Sequence, residues 1–182
     1  MNPRPFAIVT GASSGIGLEL ARLVIERGHD ALIVAEDDAI HDAASRLGAQ
    51  ALQADLSTLQ GVDALTAMAG ARPVSLLAAN AGCALGHDFL EQPLDGIRRV
   101  MDTNMLGTVA LLHRMLPRMV AAGDGRVLIT GSIAGYMTGP GLAIYNATKA
   151  FVNLFARSLA EELCDTGVTV TCLQPGPTRT LI

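Results

Sequence analysis

Phe6-Ala-Ile-Val-Thr-Gly-Ala-Ser-Ser-Gly-Ile-Gly17 is the stretch that decides the architecture. Phe6 to Val9 form an apolar run that ends in a glycine-rich turn, after which Ile16, Leu20, Leu23 and Val24 recur at helical spacing until Gly28. The run predicts a buried strand, and the period predicts a helix over Ile16 to Arg27. Strand, glycine turn and helix in that order make the place where a dinucleotide fold seats a pyrophosphate. Glycines let the backbone approach phosphate, and a helix start supplies free N–H groups and positive potential. Gly11, Gly15, Ile16 and Gly17 are the backbone candidates for that role, and the hydroxyls of Ser13 and Ser14 are candidate donors.

The alternation continues outward from this turn. Ala31 to Ala35, Ala51 to Gln53, Val74 to Ala79, Arg126 to Thr130 and Val168 to Leu173 read as strands. Helices are predicted over Ala39 to Leu47, Leu59 to Met68, Leu94 to Ala122 with a bend near Asp102 to Met105, and Ala143 to Leu163. Near-continuous apolar strands with helical crossovers imply a parallel sheet covered on both faces. Right-handed crossovers then give an α/β, Rossmann-like, doubly wound sheet of six strands in the order 3-2-1-4-5-6.

Composition bounds the function classes. With 182 residues, 50% hydrophobic and 16% charged, the chain makes a single domain with a large core. A net charge of -4 provides no basic footprint for nucleic acid. Cys83, Cys164 and Cys172 are scattered and odd in number, which suits a reducing compartment better than a disulfide framework. There is no basic leader with a cleavable apolar stretch and no membrane-length apolar run. The expectation is a cytoplasmic protein without membrane or metal partners, since no His, Cys, Asp or Glu cluster has ligand spacing.

Tyr145-Asn-Ala-Thr-Lys149 adds chemistry. Residues four apart share a helix face. An ammonium held beside a phenol favours the phenolate, so such a pair can act as a general acid or base near neutrality. Ser132 at the end of the fifth strand is separated from Tyr145 by a loop, which lets hydroxyl and phenol converge on one oxygen.

The glycine turn has the spacing Gly11-x-x-x-Gly15-x-Gly17. Together with Asn80-Ala81-Gly82, Ser132, Tyr145-x-x-x-Lys149 and Pro175-Gly176, it resembles the short-chain dehydrogenase/reductase family over essentially the whole chain. The glycine spacing is similar to that of the ordinary branch of the family, not of the extended nucleotide-sugar epimerase branch.

That resemblance implies an NAD(P)-dependent oxidoreductase acting on CH–OH donors, with Asn104, Ser132, Tyr145 and Lys149 as its catalytic set. Tyr145 would protonate a carbonyl oxygen that Ser132 holds, Lys149 would assist the phenol and bind the nicotinamide ribose, and Asn104 would hold a relay water. Asp55 and Leu56 would meet the adenine, Asn80, Ala81 and Gly82 would underlie the cofactor, and Pro175, Gly176, Thr178 and Thr180 would bound the nicotinamide. Glu36, just after the second strand, can accept hydrogen bonds from the adenosine ribose and would repel a 2′-phosphate. NADP-preferring relatives usually carry Arg or Lys there or before the second glycine, where this chain has Glu36 and Ser14. The expectation is therefore NAD(H) over NADP(H). His87 is a candidate substrate contact, whereas His41 and His113 read as surface residues.

Two further expectations concern the helices and the chain end. Met105, Val109, Leu112 and Leu116 make one apolar stripe of the long helix, and Leu111, Met115 and Met119 make another. One stripe faces the sheet, and the other faces either a partner subunit or the rest of the same chain. The family pairs its two long helices in homodimers or homotetramers, to which Phe151, Val152, Leu154, Phe155 and Leu159 would contribute. The family also continues past the position of Ile182 with a substrate loop, a helix and a seventh strand. A domain of residues 1–182 would then lack the wall that chooses the alcohol or carbonyl substrate. The alternative to turnover is an NAD(H)-binding or subunit-interaction protein.

Overall fold

The computed structural model describes residues 4–178. Strands β1 (Phe6–Thr10), β2 (Asp30–Ala35), β3 (Gln50–Gln53), β4 (Val74–Ala79), β5 (Gly125–Thr130) and β6 (Val168–Leu173) form one sheet. Its order is β3-β2-β1-β4-β5-β6, and every neighbouring pair is parallel. This is the Rossmann-like sheet that the sequence predicts. All five residues of β1 are buried, as befits a central strand with helices on both faces.

Helices α1 (Gly15–Glu26), α2 (Ala39–Leu47), α3 (Leu59–Ala69), α4 (Leu94–Met101), α5 (Thr108–Ala122) and α6 (Ala143–Glu162) join the strands. On one face of the sheet, Ile33 and Val9 pack with Ala21 and Ile40. On the other, Ile8, Leu32 and Leu77 pack with Leu65, Leu111, Met115 and Val152. The helix ends are set locally. Thr58 caps α3 by accepting from the Gly61 N–H at 3.0 Å. Gly48 and Gly123 close α2 and α5 in the left-handed conformation that glycine adopts most easily.

The predicted bend is a π-helical turn, Asp102–Gly107, that joins α4 to α5. Such turns insert an extra residue into a helix and often occur at functional sites. Here the turn presses Gly107 onto β3's exit: a Cβ built on Gly107 would stand 2.1 Å from the Leu56 carbonyl oxygen.

The structure decides between the two readings of α5 and corrects that of Val152 on α6. Leu111, Leu112, Met115, Leu116 and Met119 are all buried within this chain. Both stripes of α5 are therefore largely covered by the chain's own residues. Val152 also belongs to the core, 2% exposed, because its side of α6 faces the sheet. Leu154 and Phe151 do face outward, and Phe151 stacks on Phe155 with ring centroids 5.8 Å apart. Among the described residues, no helix is long and apolar enough to cross a membrane.

Candidate active site

The strand ends of β1, β4 and β5 are tied together below the glycine turn. Thr10 Oγ1 donates to the Ala78 carbonyl and accepts from the N–H groups of Asn80 and Ala81, both at 3.0 Å. Asn80 Nδ2 donates to the carbonyls of Thr10 and Gly11, and Thr130 Oγ1 donates to Asn80 Oδ1 at 2.9 Å. Asn80 thus holds the start of the turn against β5. Gly17 allows the turn to close: a Cβ there would stand 2.0 Å from the Gly11 carbonyl oxygen and 2.6 Å from Asn80 Nδ2.

Ser14 is the N-cap of α1, and its side chain makes no capping bond; the first turn of α1 carries no acidic residue. The positive end of this helix is left without a charge or cap from its own chain, as an anion site requires. Gly11, Ser14, Ile16 and Gly17 line an open cleft of ≈ 560 Å³, whereas Ser13 Oγ donates to Asp37 at 2.8 Å. The residues present therefore fit a dinucleotide by two observations: a backbone cradle that any side chain would fill, and an uncapped helix start opening on a cleft of ligand size.

The same cleft is lined by Asn80, Gly82, Ser132, Tyr145, Lys149, Pro175, Gly176 and Thr178. Among the described residues, Lys149 is the one charged residue that lines it. Thr180 lies outside the described residues. Ala81 sits behind the lining, where its N–H bonds Thr10. The Leu56 side chain packs in the core, so only its backbone is available to a nucleotide.

Asn104 lies in the π-helical turn and is 1% exposed. Its Oδ1 accepts from the Cys83 N–H at 2.8 Å, and its Nδ2 donates to the Cys83 carbonyl at 2.9 Å and to Thr148 Oγ1 at 3.0 Å. The side chain therefore ties the segment after β4 to α6 and retains only one Oδ1 lone pair for any water. Gly82 is the close approach that permits this, since a Cβ there would stand 3.2 Å from Asn104 Oδ1 and 3.4 Å from Lys149 Nζ.

Lys149 is 5% exposed and donates through Nζ to the Thr130 carbonyl at 2.9 Å. Burial holds its ammonium down at about 8. Nζ lies 5.8 Å from the centroid of the Tyr145 ring, one helical turn away. Ser132 Oγ accepts from the Ala134 N–H at 3.1 Å and makes a long bond, 3.4 Å, to the Pro175 carbonyl. So long a bond is weak, and the hydroxyl proton can be redirected at little cost.

Outside the cleft lining, Glu36 and Asp55 share Arg99 of α4, which the sequence alone does not single out. The Arg99 guanidinium bonds the Glu36 carboxylate and reaches Asp55 Oδ2 at 3.4 Å. Burial alone would raise Asp55, but hydrogen bonds from Ser57 and the charge of Arg99 outweigh it and hold the carboxyl below its ordinary range. His87 is exposed and lies outside the cleft lining, with a left-handed φ of 76°. His41 and His113 are exposed as expected.

Comparison with known proteins agrees with this fold. The family model described as short chain dehydrogenase matches residues 5–182. An oxidoreductase of Myxococcus xanthus is 36% identical over 180 residues, covering 93% of this chain and 70% of that protein. A short-chain dehydrogenase from Sphingobium yanoikuyae, solved in complex with NADPH, superposes with a TM-score of 0.91 at 37% identity, covering 97% of this chain and 72% of that one. A bulky-bulky ketone specific alcohol dehydrogenase from Comamonas testosteroni gives 0.91 at 32% identity, covering 96% and 73%.

Proposed function

Because the chain belongs to the short-chain dehydrogenase family, we propose that it interconverts a secondary alcohol and a ketone, or an aldehyde, with a nicotinamide dinucleotide. The observation that supports this most is one cleft lined by Ser132, Tyr145 and Lys149 at one end and by the uncapped start of α1 at the other. When bound, the cofactor supplies or accepts hydride at the substrate carbon. The chain's residues handle the proton. In reduction, the Tyr145 phenol gives its proton to the carbonyl oxygen as that oxygen gains charge, and the product is the alcohol. In oxidation, the phenolate takes the proton back. Ser132 holds the same oxygen by turning its hydroxyl away from the Pro175 carbonyl. Lys149 keeps a positive charge beside the phenol and is available to the nicotinamide ribose, while Asn104 fixes the cleft wall and orders a relay water.

The helix start at Gly15–Gly17 is the pyrophosphate seat, with Ser14 as donor. Glu36 supports a preference for NAD(H), since its carboxylate can accept from both ribose hydroxyls. Asp55 is the adenine contact, with Leu56 contributing through its backbone. Pro175, Gly176, Thr178 and Thr180 bound the nicotinamide. The cleft lining carries no second charged side chain among the described residues, which favours a neutral substrate. Exposed Leu106, Phe151 and Leu154 support self-association into a homodimer or homotetramer. The three free thiols support a cytoplasmic setting. We read residues 1–182 as one catalytic domain.

The test is Tyr145→Phe. Turnover of NADH with a panel of ketones should fall by at least about 100-fold, the scale of general acid catalysis, while the Kd for NADH changes less than about twofold on the affinity scale. Wild-type turnover in the Phe variant would overturn the mechanism. Binding of NADH by the wild type without oxidation across the panel would instead favour a cofactor-binding protein.

A further inference from the structure

Asn153 stands one turn beyond Lys149 on α6, so Tyr145, Lys149 and Asn153 follow one another at intervals of four along one face. It is 2% exposed, and its amide is directed at Ser132. Asn153 Oδ1 accepts from the Ser132 N–H at 3.2 Å, and Asn153 Nδ2 donates to the Ser132 carbonyl at 2.8 Å. The side chain therefore pairs with both backbone groups of one residue, as a neighbouring strand would. The second lone pair of Oδ1 faces Cys172 Sγ of β6 at 3.6 Å.

The turn after β5 is built around this amide. A Cβ on Gly131 would stand 2.0 Å from Asn153 Oδ1, and a Cβ on Gly135 would stand 2.5 Å from Asn153 Nδ2. Both glycines are needed for the turn to close on the side chain. Asn153 fills a second need too. At Ser132 the chain leaves the sheet, and its N–H and carbonyl have no strand partner in this parallel register. Buried backbone groups without partners are costly, and the amide supplies both.

We propose that Asn153 is a positioning residue for the catalytic serine. It sets the Ser132 backbone, and through it the direction of Oγ, from the same helix face that carries Tyr145 and Lys149. The two donors to the substrate oxygen are thereby referenced to one rigid element. The proposal rests on the oxidoreductase reading for its kinetic consequence, but not for its geometric one. A serine hydroxyl displaced by an ångström loses most of its hold on a developing oxyanion, while the cofactor seat at α1 is untouched.

Asn153→Leu, close in size but unable to hydrogen-bond, and Val152→Ala, a neighbouring core truncation that does not touch Ser132, are compared with the wild type. Asn153→Leu should lower kcat by about 30-fold or more, the range for a misaligned oxyanion donor. Its Kd for NADH should stay within about twofold, and the amide of Ser132 should exchange with solvent at least about tenfold faster. Val152→Ala should lose stability while keeping kcat and Ser132 protection. Asn153→Ser, which keeps a hydroxyl able to pair with Ser132 through water, should recover part of the kcat. Unchanged exchange at Ser132 in Asn153→Leu overturns the proposal. So does an equal kcat loss in Val152→Ala at matched stability. If even the wild type turns over no substrate, the functional reading fails and the exchange measurement still decides the clamp.

Discussion

The Lys149 ammonium donates to the Thr130 carbonyl at 2.9 Å, and no carboxylate among the described residues pairs with it. α6 thus presses a cation against the C-terminal end of β5, with Asn104 and Gly82 packed beside it. A charge buried with only dipoles around it destabilises the fold, and that penalty is the physical price of having it beside Tyr145.

The first prediction is a pH dependence of stability. Lys149 is held at about 8 in the folded chain, against 10.5 ordinarily. Between those values the unfolded chain carries the extra proton, so stability rises with pH. Below about 8 both states are protonated and the full penalty is present; above the unfolded value neither is, and it has vanished. Urea unfolding of the wild type should therefore gain on Lys149→Met by up to about 3 kcal/mol between pH 8 and 10.5. A difference that is flat or falls across that window would contradict the burial argument.

The second prediction separates two glycines. Gly17→Ala would place a Cβ 2.0 Å from the Gly11 carbonyl oxygen, with no side chain able to move aside. The variant should lose dinucleotide binding and several kcal/mol of stability, on the scale of core overpacking. Gly28 has φ +88° but nothing within 4 Å of a built Cβ. Gly28→Ala should cost only the left-handed backbone strain, about 1–2 kcal/mol, and leave cofactor affinity unchanged. Thermal melts and NADH titrations of the two variants check this. Equal losses would mean that the turn does not close as described.

The third prediction concerns thiols. Cys164 is exposed, and Cys83 lines the cleft half-buried, where burial pushes its thiol up. The thiolate is the reactive form. Iodoacetamide at pH 8 should therefore alkylate Cys164 first and Cys83 more slowly, by at least about tenfold. NADH should protect Cys83 and leave Cys164 alone. Peptide mapping reads both; protection of Cys164 would point to a different seat for the cofactor.

The sheet order was legible because each strand is a short apolar run and each crossover a helix. Those signals are local. The glycine turn and Tyr145–Lys149 were legible for the same reason. Asn153 was not, because an asparagine on a helix face reads as solvent-facing polarity, and its partner Ser132 is distant in sequence. Only Gly131 and Gly135, which leave space for its amide, hint at it. In the sequence Val152 reads as outward because Phe151, Leu154 and Phe155 surround it and obscure the phase of the helix. Arg99 is hidden because Asp95 and Asp102 offer carboxylates one turn away in sequence, whereas its partners Glu36 and Asp55 follow two other strands.

The last prediction turns on Arg99. Its guanidinium bonds Glu36 and reaches Asp55, so two carboxylates flank one cation where the proposed cofactor's adenosine would lie. All three are about half exposed, and salt will screen them. Arg99 partly neutralises the repulsion that Glu36 would exert on a 2′-phosphate. Arg99→Gln should bare that repulsion and raise the NADPH-to-NADH ratio of Kd by about tenfold, with a smaller rise at 0.5 M salt. Glu36→Gln should lower the same ratio by removing the charge and half of the ribose contact. The double variant should lie near Glu36→Gln, because Arg99 acts through Glu36. Fluorescence titrations with both cofactors give all four ratios. A double variant whose ratio lies well above that of Glu36→Gln would show that Arg99 itself attracts the 2′-phosphate, and a ratio that does not fall in Glu36→Gln would withdraw the NAD(H) preference assigned to Glu36.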